Sequence, residues 1–177
     1  IPNLELFESG VEALNVVSSW DIISGDVKPA QNILIYDESG DHPGLQAAEI
    51  AAAAGSRVEL MTPDRTLAPE VMAMNLVPYM RALQEKDVTF TLARRLLGVT
   101  RSGNLLTAEI GTDYGDQLKT QNYDQVVVNY GTLPLDDLYF ALKPLSRNLG
   151  EIDHEALVTG TGALFPPSNP QGSFELY

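Results

Sequence analysis

The chain alternates between short apolar runs and longer stretches in which apolar positions recur with helical spacing. Short apolar runs bounded by glycine, proline or polar residues are typical of buried strands. Four such runs predict strands, at Ile33–Tyr36, Arg57–Met61, Val88–Ala93 and within Tyr123–Gly131. The helical pattern predicts helices at Ser18–Ser24, Pro43–Ala54 and Glu70–Lys86, and short helical segments at Leu138–Lys143 and Asp153–Val158. Outside the Ser18–Ser24 helix, residues 1–30 are expected to be irregular.

Residues at the helix ends support these assignments. Pro43 suits the first helical turn, where its missing N–H costs nothing, and Asp41 is the expected N-cap. Gly55 is expected to end this helix, because glycine readily adopts the left-handed conformation that closes a helix. In the longer helix, Pro78 predicts either a kink or a start just before it.

An alternating stretch, Leu96–Ile110, predicts a hairpin that turns at Ser102-Gly103-Asn104, and a further short strand is expected at Gln117–Thr120. Strands separated by helices and followed by a hairpin predict an α/β, Rossmann-like three-layer fold. Its central sheet would be mostly parallel, with a small antiparallel hairpin flap. Right-handed crossovers would bring the carboxyl ends of the Ile33 and Val126 strands to one edge, where open α/β sheets bind ligands.

Length and composition narrow the class of protein. A chain of 177 residues with 44% hydrophobic content is long enough for one domain with a real core. It has no apolar run near the roughly 20 residues that cross a bilayer and no signal-peptide pattern, so we expect a cytoplasmic protein with no membrane segment. It does not begin with methionine, so we expect a fragment or a processed product. The absence of cysteine excludes disulfides, thiolate metal sites and iron–sulfur ligation within the chain.

The charge balance is strongly acidic. The net charge is −13, from 24 Asp and Glu against 11 Lys and Arg. We therefore expect no broad basic face that would bind nucleic acid. A single anionic nucleotide remains compatible with this charge, because a local group of backbone N–H groups is enough to hold its phosphates.

The loop after the first strand is the first candidate site. Gly40 permits a close backbone approach, and the N–H groups near Gly44 would point out of a helix N-terminus that favours anions. Asp37, Glu38 and Asp41 would repel a phosphate within a Debye length of about 8 Å, although an acidic side chain at a strand end suits ribose hydroxyls. A tight turn with a helix N-cap explains the same residues without a ligand, so both interpretations stay open.

The ends of two other strands complete the candidate edge. In dinucleotide-binding folds the ribose is recognised about 20 residues beyond the glycine loop, and here that region is Thr62–Arg65. Asp64 would select an unphosphorylated ribose and Arg65 a 2′-phosphate, so the sequence does not decide between them. Gly131, after the last strand, would let a nicotinamide or ribose approach. For Asp64 and Arg65 the alternative is a pair of solvated loop residues without a ligand. For Gly131 the alternative is an ordinary turn.

Hydrolytic or metal-dependent chemistry finds little support. His42 and His154 are the only histidines and lack metal-ligand spacing. Ser39 and His42 are the only local nucleophile–base pair, and no G-x-S-x-G elbow is present. A flavodoxin-like or response-regulator-like domain would need a lysine after a later strand, and Asn129–Pro134 contains none.

Several segments, taken in order, resemble a known family. They are IPNL at Ile1–Leu4, SSWDIISGDVKP at Ser18–Pro29, ILIYDESGDHPGLQAAEIAAAAGSRVELMTPDR at Ile33–Arg65, YDQVVVNYGTLP at Tyr123–Pro134 and NPQGSFELY at Asn169–Tyr177. Together they resemble the inserted, C-terminal NAD(P)H-like nucleotide-binding subdomain of the trimethylamine dehydrogenase and 2,4-dienoyl-CoA reductase family. These are NADH:flavin oxidoreductases related to old yellow enzyme. The loop Asp37–Gly44 most resembles demethylase-type members.

The resemblance implies a longer parent chain, with a TIM barrel that carries FMN and a 4Fe–4S cluster and with a flavin-type subdomain. Residues 1–30 would then be a linker and short helix from the flavin-type subdomain, residues 31–150 the NAD(P)-binding-like Rossmann domain, and residues 151–177 a return linker. FMN and the cluster would be bound by the parent and not by this chain. The flavin-binding and TIM-barrel domains would be its partners, and a homo-oligomer stays open.

The resemblance also implies a nucleotide site within this chain. Reductase-type members are expected to bind NAD(P)H there, whereas trimethylamine dehydrogenase holds ADP and performs no hydride transfer in this region. Because G-x-G-x-x-G is missing here, only the location of the site is carried over. The expected cofactor-binding residues are Asp37, Ser39, Gly40, His42, Gly44, Thr62, Arg65 and Gly131, with no catalytic or metal-binding residue.

We therefore expect a nucleotide-binding subdomain, for NAD(P)H or ADP, without catalysis of its own. The parent would be an FMN- and iron–sulfur-dependent NADH:flavin oxidoreductase or an amine dehydrogenase or demethylase. The alternative is a structural or oligomerisation subdomain of the same flavoenzyme, with a degenerate site and no ligand.

Overall fold

The computed structural model describes residues 1–4 and 16–177. The chain forms two compact units, Ile1–Leu133 and Pro134–Tyr177. The first unit contains both sheets and three helices of the described chain. The predicted loop, helix and strand ends of the candidate site all belong to this first unit.

A five-stranded parallel sheet forms the centre of the first unit. Its strands are β1 (Val16–Ser18), β2 (Asn32–Asp37), β3 (Arg57–Met61), β4 (Thr89–Thr91) and β8 (Gln125–Asn129). They lie side by side in the order β1-β8-β2-β3-β4. The central pair, β2 and β8, is in register from Ile33 opposite Gln125 to Asp37 opposite Asn129, so two polar side chains end this pair at the carboxyl edge.

Helices cover one face of this sheet. They are α1 (Ser19–Ser24), α2 (His42–Ala53) and α3 (Ala73–Glu85). Alternate strand residues such as Ile33, Ile35 and Val127 are buried with Leu45 and the alanines of α2 in one apolar cluster. Alanine is suited to this helix because its small side chain brings the helix close to the sheet and has the highest helix propensity.

A three-stranded antiparallel sheet packs on the opposite face. It consists of β5 (Arg95–Ser102), β6 (Leu105–Gly111) and β7 (Lys119–Tyr123), in that order. The other set of alternate strand residues, among them Leu34 and Val126, is buried with Leu106 and Ile110 of this sheet. Side chains of a strand alternate between faces, so a parallel sheet covered on both sides reads as continuous apolar runs.

The second unit has little apolar core. It contains α4 (Asp137–Leu142), a 3-10 turn (Lys143–Leu145) and α5 (His154–Thr159). Asn148 is buried, and its side-chain amide donates to the carbonyl oxygens of Glu151 and Leu176, both at 2.8 Å. Polar contacts of this kind tie the C-terminal segment to the rest of the unit.

The predicted fold class is confirmed: helices, parallel sheet and antiparallel sheet form three layers. The hairpin turns where it was expected, between Ser102 and Leu105, and Gly103 has a φ of +63°. The short helix at Ser18–Ser24 is present as α1, with Ser18 as its N-cap and Gly25 as its C-cap. RVELM forms β3 over the predicted range.

Four details of the secondary structure differ from the prediction. The segment Val16–Ser18, expected to be irregular, pairs with β8 as an edge strand. The strand expected at Gln117–Thr120 runs instead over Lys119–Tyr123, which makes the flap three-stranded. The long helix begins at Ala73 rather than Glu70 and contains Pro78 in its interior. Asp41 occupies the N-cap position of α2, but its side chain makes no capping hydrogen bond to the helix.

No helix in the described part of the chain is long and apolar enough to cross a membrane.

Candidate functional site

The candidate site lies at the carboxyl edge of the parallel sheet, where β2 ends at Asp37 and β8 ends at Asn129. The loop from Glu38 to Asp41 connects β2 directly to α2, which brings the helix N-terminus to the same edge. A helix N-terminus carries a partial positive charge and unpaired N–H groups. Such an edge is where open α/β sheets generally bind ligands.

Asp37 is the central side chain of this edge and is fully buried. Its Oδ1 accepts hydrogen bonds from the Gly40 backbone N–H at 3.0 Å and from the Asn129 side-chain amide at 2.9 Å. Its Oδ2 is buried without a hydrogen-bond partner among the described residues. Burial raises the pKa of Asp37 to about 6, against the lowering effect of its two hydrogen bonds. The carboxylates of Asp41 and Asp64 raise this pKa further.

Two glycines of the loop allow close approaches. A Cβ at Gly44, in the first turn of α2, would lie 2.6 Å from the Asp37 Cγ and 2.7 Å from its Oδ2. The missing side chain of Gly44 is therefore what lets the Asp37 carboxyl lie against the helix. Gly40 has a φ of +65°, and a Cβ there would lie 2.6 Å from the Pro69 side chain. At both positions, Gly40 and Gly44, a larger side chain would therefore collide with a neighbouring side chain.

Asn129 organises the loop around Asp37. Its side-chain amide also donates to Asp41 Oδ1 at 2.6 Å, and its Oδ1 accepts from the Ser19 hydroxyl at 3.1 Å. Its backbone carbonyl accepts from the N–H groups of Glu38 and Ser39 at 3.0 and 3.2 Å. Sequence reasoning missed Asn129 and Ser19. A polar residue that ends a valine run at a strand's carboxyl end, as Asn129 does, was the available signal.

The loop N–H groups are therefore largely used within the protein. Those of Glu38 and Ser39 bond to the Asn129 carbonyl, and that of Gly40 bonds to Asp37. In glycine-rich phosphate loops, such N–H groups point at the ligand instead. What this edge leaves for an anion is the first turn of α2, next to the Asp37 carboxyl.

Glu38 has its own partners. The Tyr36 hydroxyl donates to Glu38 Oε2, and Arg95 forms an ion pair with Glu38 Oε1 at 2.6 Å. Arg95 also binds both carboxylate oxygens of Asp113 at 2.9 Å and lowers the pKa of Asp113. Burial and the bond to Glu38 raise the pKa of Tyr36, which keeps its hydroxyl neutral and donating. The charge of Glu38 is thus compensated locally.

The remaining predicted residues lie around this edge. Thr62 is buried and its hydroxyl accepts from the Asp64 backbone N–H at 3.2 Å, whereas Arg65 is exposed. The Gly131 carbonyl accepts from the Asn3 N–H at 3.0 Å. His42 is exposed at the start of α2, and its Nδ1 lies 3.2 Å from the Tyr79 hydroxyl. Ser39 is half-buried, with its hydroxyl 3.3 Å from the Asn129 carbonyl.

An open cavity of about 440 Å³ adjoins the ends of β3 and β4. The Arg94 N–H donates to the Thr62 carbonyl at 3.1 Å, which connects this cavity to the second-strand region. Its lining includes Leu92, Arg94, Thr112, Tyr114, Asp116 and Gln117. Arg94 and Tyr114 were not indicated by the sequence, because the loops that carry them are far apart along the chain.

Metal binding finds no support in this part of the structure. Among residues 1–4 and 16–177, no group of three or more His, Asp or Glu side chains is arranged to hold a metal ion.

The chain is similar to parts of longer curated proteins. It is 58% identical over 180 residues to a probable N-methylproline demethylase from Rhizobium meliloti, covering 100% of this chain and 26% of that protein. It is 41% identical over 142 residues to an N,N-dimethylglycine/sarcosine dehydrogenase from Chromohalobacter salexigens, covering 80% of this chain and 20% of that protein. The chain thus spans about a quarter or less of these relatives. No protein-family model matches it.

Solved structures share the fold. A 2-naphthoyl-CoA reductase in complex with 2-naphthoyl-CoA matches with a TM-score of 0.65 at 22% identity, over 84% of this chain and 21% of that one. Histamine dehydrogenase from Rhizobium sp. 4-9 matches with a TM-score of 0.60 at 21% identity, over 70% of this chain and 19% of that one. In both cases the similarity covers about a fifth of a longer protein.

Proposed function

We propose that this chain, which belongs to the trimethylamine dehydrogenase and 2,4-dienoyl-CoA reductase family, is the NAD(P)H- or ADP-binding subdomain of a longer oxidoreductase. One observation carries this proposal. β2 leads through a short loop directly into the N-terminus of α2, and the ends of β3 and β8 lie at the same edge. This arrangement offers a helix dipole for phosphate and strand ends for ribose.

Each predicted residue has a part in this proposal. The α2 N-terminus at His42 and Gly44 would face the phosphates, with Ser39 and Gly40 shaping the loop that precedes it. Thr62 and Arg65 would lie near the adenosine ribose, and Gly131 would allow the far end of the ligand to pass β8. Asp37 is buried behind the loop, where it would act on the phosphates through its charge and not by direct contact.

The parent enzyme is proposed to act on an N-methylated amine. The relatives named as a demethylase and a dehydrogenase support this substrate class. FMN and a 4Fe–4S cluster would belong to a TIM barrel elsewhere in the parent, since this chain has no cysteine to ligate a cluster. The flavin-binding and barrel domains would be the partners of this chain. Bound NAD(P)H would supply a hydride and ADP would not, and no residue of this chain is proposed to catalyse the transfer.

A structural role is the second candidate, and a specific observation favours it. Three loop N–H groups that a dinucleotide loop would turn toward its ligand are bonded inside the protein, to Asn129 and Asp37. A loop closed in this way needs no ligand for its stability. In that case the subdomain would support the flavin domain or an oligomer interface, with a degenerate site.

Calorimetric titration with ADP, NADH and NADPH tests the two candidates. We expect ADP to bind with about micromolar affinity, corresponding to roughly 8 kcal/mol. The order of the three ligands separates an ADP holder from a reductase module. Arg65→Ala should weaken NADPH more than NADH if Arg65 recognises a 2′-phosphate, while Arg81→Ala, an exposed arginine near the C-terminal end of α3, is the matched control. No heat from any ligand, in a sample with native circular dichroism, would support the structural role.

A further inference from the structure

The three carboxylates of the loop are not equivalent. Glu38 is paired with Arg95 at 2.6 Å and also accepts from Tyr36. Asp41 is partly exposed and accepts from Asn129 at 2.6 Å. Asp37 alone is fully buried, and one of its oxygens has no hydrogen-bond partner among the described residues. The charge of Asp37 is therefore the least compensated of the three.

The unpartnered oxygen of Asp37 lies against the first turn of α2, at Gly44. A Cβ on Gly44 would lie 2.7 Å from this oxygen, so the carboxyl packs directly against the first helical turn. An anion at this position is stabilised by the helix dipole. In nucleotide-binding loops of this topology, the group found at the helix N-terminus is the ligand's phosphate.

We infer that the Asp37 carboxylate is a built-in anion that competes through its charge with a ligand phosphate for the α2 N-terminus. Asp37, and not Glu38 or Asp41, is then the residue that determines how strongly the loop accepts a phosphorylated ligand. This inference rests on the proposed nucleotide site and explains how that site can keep the fold of a dinucleotide-binding unit while binding a phosphorylated ligand less tightly than the same loop would without the carboxylate.

The charge state of Asp37 should control how tightly the α2 N-terminus binds a phosphate. The titratable groups that face it are Asp41 from the loop and Asp64 from the β3 end, and both carboxylates disfavour its ionisation. Its pKa is raised to about 6, so the carboxyl is ionised at neutral pH and becomes neutral in mild acid. When neutral, it no longer competes with a phosphate for the helix dipole. Phosphate binding should therefore strengthen as the pH falls through about 6.

Inorganic pyrophosphate is a suitable probe because it carries the phosphates without the nucleoside. We would follow the backbone amide signals of Gly40 and Gly44 by NMR during titration of the protein, at about pH 5 and about pH 8, below and above the Asp37 pKa. Three proteins are compared: wild type, Asp37→Asn, which removes the charge at constant shape, and Glu38→Gln as the matched control.

At the higher pH, Asp37→Asn should bind pyrophosphate on the order of tenfold more tightly than wild type, and Glu38→Gln about as weakly as wild type. At the lower pH the difference between wild type and Asp37→Asn should shrink. The ratio of the two dissociation constants is the readout, because the protonation of pyrophosphate itself cancels.

Equal affinities of wild type and Asp37→Asn at the higher pH would overturn the inference, as would an equal gain from Glu38→Gln. If Asp37→Asn fails to fold, the pH dependence of wild type and Glu38→Gln decides, because both proteins keep Asp37 and both should bind pyrophosphate more tightly in acid. A wild type and a control that both stay flat overturn the inference.

Failure of the inference is distinguishable from failure of the proposed function. Pyrophosphate binding by Asp37→Asn without any ADP binding would uphold the inference and reject the nucleotide proposal. ADP binding to wild type, without tighter pyrophosphate binding by Asp37→Asn, would uphold the nucleotide proposal and reject the inference.

Discussion

At the scale of single residues, the buried carboxyl of Asp37 makes the stability of the folded protein depend on pH. The pKa of this group is raised from 3.8 to about 6, chiefly by burial, so the folded state holds its proton more tightly than the unfolded chain does. Its contribution to the free energy of unfolding is therefore fully present below pH 3.8 and is lost as the pH rises through about 6.

Asp37→Asn should remove this dependence. The difference between 3.8 and about 6 corresponds to roughly 3 kcal/mol, so the variant should gain up to about that much stability relative to wild type between acid and neutral pH. Urea denaturation of both proteins across this range measures the difference. A difference that stays constant with pH would show that the Asp37 carboxyl titrates normally in the folded protein.

Gly44→Ala is a second test at the scale of single residues, because the expected change in stability is opposite to the usual effect of replacing glycine by alanine in a helix. In a helix interior, alanine is ordinarily favoured over glycine by about 1 kcal/mol. Here the added Cβ would lie 2.6 Å from the Asp37 Cγ, and overpacking of this kind costs about 1 to 3 kcal/mol. We expect net destabilisation in thermal or urea unfolding.

The double variant Gly44→Ala with Asp37→Ala provides the control for that contact. Removing the carboxyl makes room for the methyl group, so the two substitutions should be markedly less costly together than the sum of the single effects. Additive costs would mean that Gly44 is required by the helix itself and not by Asp37.

At the scale of elements, Glu59 of β3 joins the parallel sheet to the antiparallel sheet. Its carboxylate accepts hydrogen bonds from Tyr123 at 2.7 Å and Gln121 at 2.9 Å, both in β7, and from Thr91 at 2.7 Å in β4. Burial raises the pKa of Tyr123, and the bond to Glu59 raises it further, so the phenol stays neutral and donates.

Glu59→Ala should destabilise the protein by about 1 to 3 kcal/mol, because it leaves the buried Tyr123 hydroxyl without its acceptor. Glu59→Gln keeps an acceptor oxygen and should cost less, and Glu109→Ala, at an exposed position of β6, should be near neutral. Urea denaturation of the three variants orders these costs. Equal stability of Glu59→Ala and Glu109→Ala would show that the Glu59 bonds contribute nothing net.

The elements with strong local signals were predictable from sequence, and those that depend on tertiary pairing were not. The apolar runs of β2, β3 and β8 and the alanine-rich α2 follow from periodicity and helix-end residues. The edge strand Val16–Ser18 is only three residues long and exists through its pairing with β8, which no local pattern reveals. The same reason explains the shift of β7, whose register is set by β6.

The candidate edge shows the same division. The glycine positions of the loop and the strand ends could be read from the sequence because they depend on chain order. The sequence could not show that Asn129 binds both Asp37 and Asp41, because these contacts join residues about 90 positions apart. The burial of Asp37 against Gly44 depends on how closely α2 packs on the sheet, which the local sequence does not reveal. The sequence does not distinguish the three acidic residues of the loop, Asp37, Glu38 and Asp41, and only packing separates their environments.

At the scale of the whole molecule, the two units differ in what holds them together. The apolar clusters on both faces of the parallel sheet consist entirely of residues up to Tyr130 in the described chain. In Pro134–Tyr177, Ala156 is the one buried hydrophobic residue, while Leu135, Leu138 and Val158 are largely exposed. Since burial of apolar surface is the main driving force of folding, the first unit should carry most of the stability.

Separate expression of the two units tests this asymmetry. A chain that ends at Leu133 should keep native-like circular dichroism and a cooperative thermal transition, because it retains both apolar clusters. A chain of Pro134–Tyr177 alone should show no cooperative transition, because so short a segment with almost no buried apolar surface cannot offset its conformational entropy.

A chain that ends at Asn122 is the control: it lacks β8, the strand between β1 and β2, and should not fold. Loss of the transition in the chain that ends at Leu133 would mean that the second unit contributes to the stability of the first through interactions that the apolar clusters do not contain.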